Sequence, residues 1–247
     1  MASETPSKVR VKTTLPAHPY PPNAAREPTT TATGRLVLRA LGPGDLGALH
    51  ELRTQAEVMA RTALGVGDAD ADATQAKLDP FLSPRDADTF NPAICLADAD
   101  GTGSGGELVG LGGVSAPPGS SAPGWPEVGY MLRREHWGRG YATEFLRAFL
   151  ALWWALPRSG PVELDVDPRS LLLAPAPAPA PGHADDDDDV VDEMLCAVVE
   201  EDNVASRRVL EKAGFARFAS WVVPSRRPGS EGRPVTLVGF VVARPKA

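Results

Sequence analysis

Glu127-Val128-Gly129-Tyr130-Met131-Leu132 leads, four residues on, into Trp137-Gly138-Arg139-Gly140-Tyr141-Ala142-Thr143-Glu144. Phe145-Leu146-Arg147-Ala148-Phe149-Leu150-Ala151-Leu152-Trp153-Trp154 follows directly. In the first part Val128, Tyr130 and Leu132 recur with period two, which predicts a strand. In the third part Phe145, Phe149, Leu152 and Trp153 share one helical face, and Leu146, Leu150 and Trp154 widen it. Two glycines therefore sit in a strand-to-helix turn. Glycine permits left-handed backbone angles and lets a ligand approach where a Cβ would intrude. The helix start adds unpaired N–H groups and the positive end of its dipole. Together these features predict a cradle for an anion such as a diphosphate. A Gly-x-Gly turn alone is also compatible with a plain turn. No Gly-Lys-Ser or Gly-Lys-Thr follows, so this is not the lysine phosphate loop. The third glycine of a dinucleotide fingerprint is missing as well.

A second stretch, Asp202 to Phe215, favours the ligand. Asp202 or Asn203 can cap a short helix, and Gly214 can end it in the left-handed conformation. Ser206, Val209, Leu210 and Ala213 lie on one side. Strand-like runs flank it at Met194–Val199 and Phe215–Val223.

The two stretches together resemble the GNAT superfamily of acyl-CoA N-acyltransferases, and within it the branch of ribosomal-protein N-terminal acetyltransferases (RimJ/RimL-type). Glu127-Val128-Gly129-Tyr130 is similar to that family's fourth strand and Trp137–Glu144 to its pyrophosphate loop. Asn203-x-x-Ser206 with Glu211-Lys212-Ala213-Gly214-Phe215 is similar to its last-helix motif, and Arg35-Leu36-Val37-Leu38-Arg39 to its first strand. The resemblance spans about residues 34 to 244. One position departs: Trp137 stands where the superfamily often has Arg or Gln, which removes one polar anchor.

The resemblance implies an α/β (α+β) fold. Its mixed, mostly antiparallel central sheet has six to seven strands with about four helices, splayed between strands four and five. Coenzyme A would wedge into that splay, its pantetheine arm mimicking a strand. Amides of Gly138, Arg139, Gly140, Tyr141, Ala142 and Thr143 would cradle the diphosphate. Arg139 is the best-placed cation, with Arg133 and Arg134 nearby. Backbone groups of Met131, Leu132 and Arg133 would meet the pantetheine and thioester, one N–H serving the oxyanion. Asn203 would contact the pantetheine arm, or only cap its helix. Ser206 is the candidate acid for the departing thiolate and Glu127 the candidate base. The implied co-substrate is acetyl-CoA, with no metal. The implied acceptor is a primary amine, either a protein N-terminal α-amine or a small molecule. An α-amine, with a pKa of about 8, needs less help from a base than a lysine at about 10.4. A non-catalytic CoA-binding or sensor module on the same fold is the alternative.

The remaining composition is consistent with one such domain. The chain has 247 residues, 43% hydrophobic, with 25 basic and 32 acidic side chains and a net charge of −7. The aspartate run at 185–189 carries five of those charges, so the rest is nearly neutral and offers no nucleic-acid surface. No window is apolar enough for a membrane span or a secretory leader, so a cytoplasmic enzyme is expected. Cys95 and Cys196 lie apart in apolar runs and read as buried thiols, without ligand spacing for a metal. Residues 1–33, rich in Pro and Thr, read as an extended arm, in which Val9-Arg10-Val11 can pair as a short strand. Residues 34–247 form the single acetyltransferase domain. One helix is expected to open at Pro43-Gly44-Asp45 and run to about Ala60, and another to run from Asp72 to Leu82, with strands at Asn91–Ala97 and Glu107–Val114. The region from 157 to 189 is a Pro/Ala- and Asp-rich insertion relative to the family pattern. Within it, Val162–Val166 reads either as the start of the fifth strand or as a local hairpin. Val191–Glu200 is the fifth strand, and Phe215–Val223 with Pro234–Val242 closes the sheet.

Overall fold

The alternating run at Val128–Leu132 is a strand at the middle of the molecule. The computed structural model describes residues 8–98, 105–173 and 190–246. The proline repeat at 174–181 and the aspartate run at 185–189 lie outside the described residues. In chain order the elements are β1 (Val9–Thr13), β2 (Thr29–Thr30), β3 (Leu36–Arg39), α1 (Leu46–Thr54), α2 (Ala56–Met59) and α3 (Ala71–Leu78). Next come β4 (Ala93–Leu96), β5 (Leu108–Val114), β6 (Val128–Leu132), α4 (Tyr141–Ala155), β7 (Val162–Val166) and α5 (Pro168–Leu171). The last are β8 (Val190–Val191), β9 (Met194–Glu200), α6 (Val204–Lys212), β10 (Ala216–Pro224) and β11 (Pro234–Ala243).

Two antiparallel sheets, β2-β3-β4-β5-β6 and β9-β11-β10, meet edge to edge. Their junction is a single parallel bridge, Glu127 opposite Cys196, reinforced by the Cys196 N–H donating to the Pro126 carbonyl at 2.8 Å. Beyond it β6 and β9 share no further bridge. These are the strands expected to stand fourth and fifth, and they splay as the resemblance implies. Six α-helices form among the described residues where about four were expected. The two extra ones, α2 and α5, are single turns too short to show a helical period. The helix expected from 43 to about 60 breaks at Gln55, whose ψ of 113° is extended.

Helix α4 covers one face of the sheet. Phe145, Leu146, Phe149 and Trp153 are fully buried there beside Leu36, Leu38 and Ile94. Each large apolar side chain so placed contributes about 1.5–3 kcal/mol. Helices α1 and α3 cover the other face through Leu49, Leu52 and Leu78, against Ala93, Cys95 and Leu108. Burial on both faces explains why β5 reads as the unbroken run Leu-Val-Gly-Leu-Gly-Gly-Val rather than as an alternation. Both cysteines are buried free thiols. No helix among the described residues is long and apolar enough to cross a membrane.

Val162–Val166 is neither the start of the fifth strand nor half of a local hairpin. It pairs antiparallel with β1, Val9 opposite Val166 through Thr13 opposite Val162, while β1 pairs parallel with β8. Its partner comes instead from the N-terminal residues, since β1 gives one edge to β7 and the other to β8. The N-terminal residues then continue into the domain, where Tyr20 packs between Phe90 and Trp153.

Candidate active site

The site is built around the gap between β6 and β9. The Arg133 N–H donates to the Val109 carbonyl at 2.8 Å. That bond fixes the antiparallel alternation: Met131 shares its amide with β5, while Tyr130 and Leu132 turn theirs to the open edge. On the other side Cys196 faces β6, so Val198 does too. Apart from the Leu132 carbonyl, which the Trp137 indole takes, a strip of backbone unpaired among the described residues therefore lines each wall below the Glu127–Cys196 apex.

At the lower end of β6 comes the glycine turn. Gly138 and Gly140 have φ of 73° and 82°, and Gly140 is the N-cap residue of α4 without a side-chain cap. A Cβ at Gly138 would meet nothing within 4 Å, and one at Gly140 only the Arg35 guanidinium at 3.8 Å. Among the described residues, no backbone or side-chain acceptor takes the amides of Gly138, Arg139, Gly140, Tyr141, Ala142 or Thr143. The Arg139 side chain is exposed and has no ion-pair partner among the described residues. Trp137 is 43% exposed and donates its indole N–H to the Leu132 carbonyl at 2.8 Å.

Two expected contacts are corrected. The buried Arg133 side chain is not free for phosphate. It is ion-paired with Glu51, with Glu107 at 2.9 Å and with Glu135 at 3.8 Å. Its amide is also engaged, as is that of Met131, because both belong to the β5 ladder. Of the three residues, Leu132 alone directs its amide into the gap. Arg134 pairs with Glu57 at 2.9 Å. Glu107, Glu135 and His136 bring ligand-type atoms within 4.8 Å of one another, but the Arg133 guanidinium sits among those carboxylates.

At the apex, Glu127 is partly buried, and its carboxylate has no hydrogen-bond or ion-pair partner among the described residues. Burial pushes its pKa from 4.5 up to about 7. Across the gap Asn203 Oδ1 accepts from the Ser206 N–H at 3.1 Å and caps α6, which leaves its side-chain N–H₂ group available. The Ser206 hydroxyl stands beside Tyr130 Oη. The phenol is buried and outside hydrogen-bond geometry with any partner. Burial raises the Tyr130 pKa to about 12, partly offset by Ser206. Sequence reasoning placed Tyr130 on the strand and assigned it no chemistry. Its position opposite Ser206 depends on the α6 docking angle, which no local pattern encodes.

The mouth of the gap is bounded by Arg61, ion-paired to Asp202 at 3.5 Å, and by Arg227, which donates to the Thr62 carbonyl at 3.1 and 3.2 Å and pairs with Glu200. An open cavity of about 680 Å³ is lined by Glu57, Ala60, Arg61, Arg134 and Trp137. A second cavity, about 330 Å³, lies at the far end of α4 near Phe90 and Leu156. Its arginines are both engaged, Arg26 by backbone carbonyls and Arg39 by Asp45, so it offers no free cation among the described residues.

These features define a mixed α/β domain whose sheet parts beside an amide cradle. The chain belongs to the GNAT acetyltransferase family: the acetyltransferase (GNAT) domain model matches residues 35–216. Family membership makes it an acyltransferase. No curated protein sequence matches it. Solved structures with the same fold include a GNAT-family acetyltransferase from Bacillus anthracis, with a TM-score of 0.58 and 17% identity, covering 89% of this chain and 100% of that one. Another is the spermidine N-acetyltransferase from Vibrio cholerae in complex with CoA and spermine, with a TM-score of 0.55, 17% identity, and 85% and 96% of the two chains covered. A third is AAC(6')-Ib in complex with ribostamycin and coenzyme A, with a TM-score of 0.50, 17% identity, and coverage of 85% and 94%.

Proposed function

We propose that this protein is an acetyl-CoA-dependent N-acetyltransferase, of the ribosomal-protein N-terminal acetyltransferase-like branch, that acetylates a primary amine by direct attack in a ternary complex. One observation carries the reading: six consecutive unclaimed amides, Gly138 to Thr143, lie beside an unpaired backbone edge on β6. A diphosphate with an extended amide-bearing arm satisfies both at once. Arg139 adds a free guanidinium at the cradle, and the Asn203 side-chain N–H₂ group can meet the arm from the opposite wall. Acetyl-CoA supplies the activated acetyl thioester. Two of the relatives above were solved with CoA together with spermine or ribostamycin, which favours an amine as acceptor.

The chain's own groups divide the proton work. Glu127, with its pKa near 7, takes the proton from the incoming ammonium, directly or through a water. The Leu132 N–H faces the position where negative charge develops on the carbonyl oxygen. Ser206, beside a Tyr130 that stays protonated across neutral pH, gives its proton to the leaving sulfur and takes in exchange the second proton that the nitrogen loses as the amide forms. A base of pKa about 7 lies roughly one pH unit below an α-amine but about three below a lysine, so the reading favours an α-amine or a small amine of lowered pKa.

Free-CoA release measured across peptides with free N-termini and small amines tests the proposal. Turnover with at least one such acceptor, together with calorimetric CoA binding, is expected. Acceptance of lysine side chains alone would overturn the acceptor class, and absence of CoA binding would overturn the whole reading.

A further inference from the structure

The group that organises the cradle is outside it. Glu144, in the first turns of α4, has a side chain only 6% exposed. It accepts from Thr31 Oγ1 at 2.5 Å, from Thr33 Oγ1, and from Arg35 through Nε at 2.9 Å and through Nη2. The same guanidinium reaches on through Nη1 to the Arg139 carbonyl at 3.1 Å and lies 5.0 Å from the Tyr141 ring centroid. We propose that Arg35 and Glu144 are positioning residues for the diphosphate cradle. In this view Arg35 fixes the orientation of the Arg139–Gly140 peptide and cancels the Glu144 charge beside the bound anion.

Peptide geometry fixes the first part of this role. The Arg139 carbonyl and the Gly140 amide belong to one planar trans peptide and point in opposite directions. A guanidinium that holds the carbonyl outward therefore aims the amide inward. Gly140 flanks this peptide at a positive φ and has no Cβ, so the steric wall that a side chain there would raise against flipping is missing. A flipped carbonyl would point its lone pairs at the diphosphate. The second part is charge. Glu144 belongs near a helix N-terminus on dipole grounds, yet an uncompensated carboxylate there repels the ligand the N-terminus attracts. Burial alone would raise its pKa, but the bonds from Thr31, Thr33 and Arg35 outweigh burial and hold it below the ordinary 4.5, so it is ionised when the anion binds. The Arg35 fork is the feature that serves both needs, since a lysine cannot span the carboxylate and the carbonyl together.

The inference rests on reading the loop as a diphosphate cradle, and the test separates the two. CoA affinity by calorimetry and steady-state kinetics are measured for the parent, Arg35→Lys, Arg35→Gln and the double variant Arg35→Gln/Glu144→Gln. The donors are acetyl-CoA and S-acetylpantetheine, which lacks the diphosphate. Arg35→Gln is expected to weaken CoA binding about ten- to a hundredfold, the scale of one hydrogen bond to a charged group. The loss falls on KM for acetyl-CoA rather than on kcat, and kcat/KM for S-acetylpantetheine does not fall with it. Arg35→Lys falls between, and the double variant recovers part of the affinity because the repelling carboxylate is gone. If Arg35→Gln binds CoA as the parent does, or loses equally on both donors, the positioning role is wrong while the cradle stands. If the parent itself fails to bind CoA, the cradle reading fails, and the positioning role with it.

Discussion

Replacing Glu127 with glutamine separates catalysis from stability at one position. Burial lifts the carboxyl from 4.5 to about 7, with no hydrogen-bond donor among the described residues to stabilise its charge. The folded protein therefore binds a proton between those pH values that the unfolded chain has released. Stability must fall as pH rises through that interval, and the full cost is present above about pH 7. The interval corresponds to about 3 kcal/mol. Glu127→Gln keeps the shape and removes the charge. It is expected to be more stable than the parent by up to about 3 kcal/mol at pH 8, and nearly equal to it at the acid end. Urea unfolding at several pH values reads this difference. Activity should move the opposite way. In the parent, log kcat/KM rises with pH and levels off near 7 as Glu127 loses its proton. The variant should lose about a hundredfold at pH 7, the lower range for a general base. Part of that loss should return at pH 9, where an α-amine acceptor is neutral unaided. A variant that keeps both the parent's rate at pH 7 and the inflection near 7 would refute Glu127 as the base. A stability difference that does not change with pH would refute the burial argument.

Three further outcomes follow from the same geometry. Ser206→Ala should lower kcat about tenfold or more with CoA affinity unchanged, because its N–H, not its hydroxyl, takes part in the Asn203 cap; stopped assays and calorimetry check both. Gly140→Ala forces a side chain into φ of 82° and should cost about 1–2 kcal/mol of stability while weakening CoA binding, read by thermal unfolding and calorimetry. Arg158→Ala removes the partner of Glu193, whose side chain is fully buried 2.7 Å away, and should destabilise the fold by about 3–5 kcal/mol in urea titration with little change in KM.

Sequence alone determined the elements whose signals are local. The alternation of Val128, Tyr130 and Leu132, the apolar face from Phe145 to Trp153 and the Asn203 and Gly214 helix ends all lie within one or two turns of chain. The strand, the large helix and the capped short helix formed where those patterns put them. The glycine turn was legible for the same reason, since positive φ at Gly138 and Gly140 is a property of the residues themselves. Only the tertiary structure decided which distant segments meet. Arg133 reads as a free cation until folding surrounds it with Glu51, Glu107 and Glu135. Val162–Val166 carries a strand pattern with no partner named, and its partner is β1, in the distant N-terminal residues. The raised pKa of Glu127, the Tyr130–Ser206 juxtaposition and the Arg35–Glu144 clamp, formed by residues 109 apart, are likewise products of burial and docking. Periodicity records which face a residue presents, whereas charge balance and hydrogen-bond partnership depend on what that face is packed against.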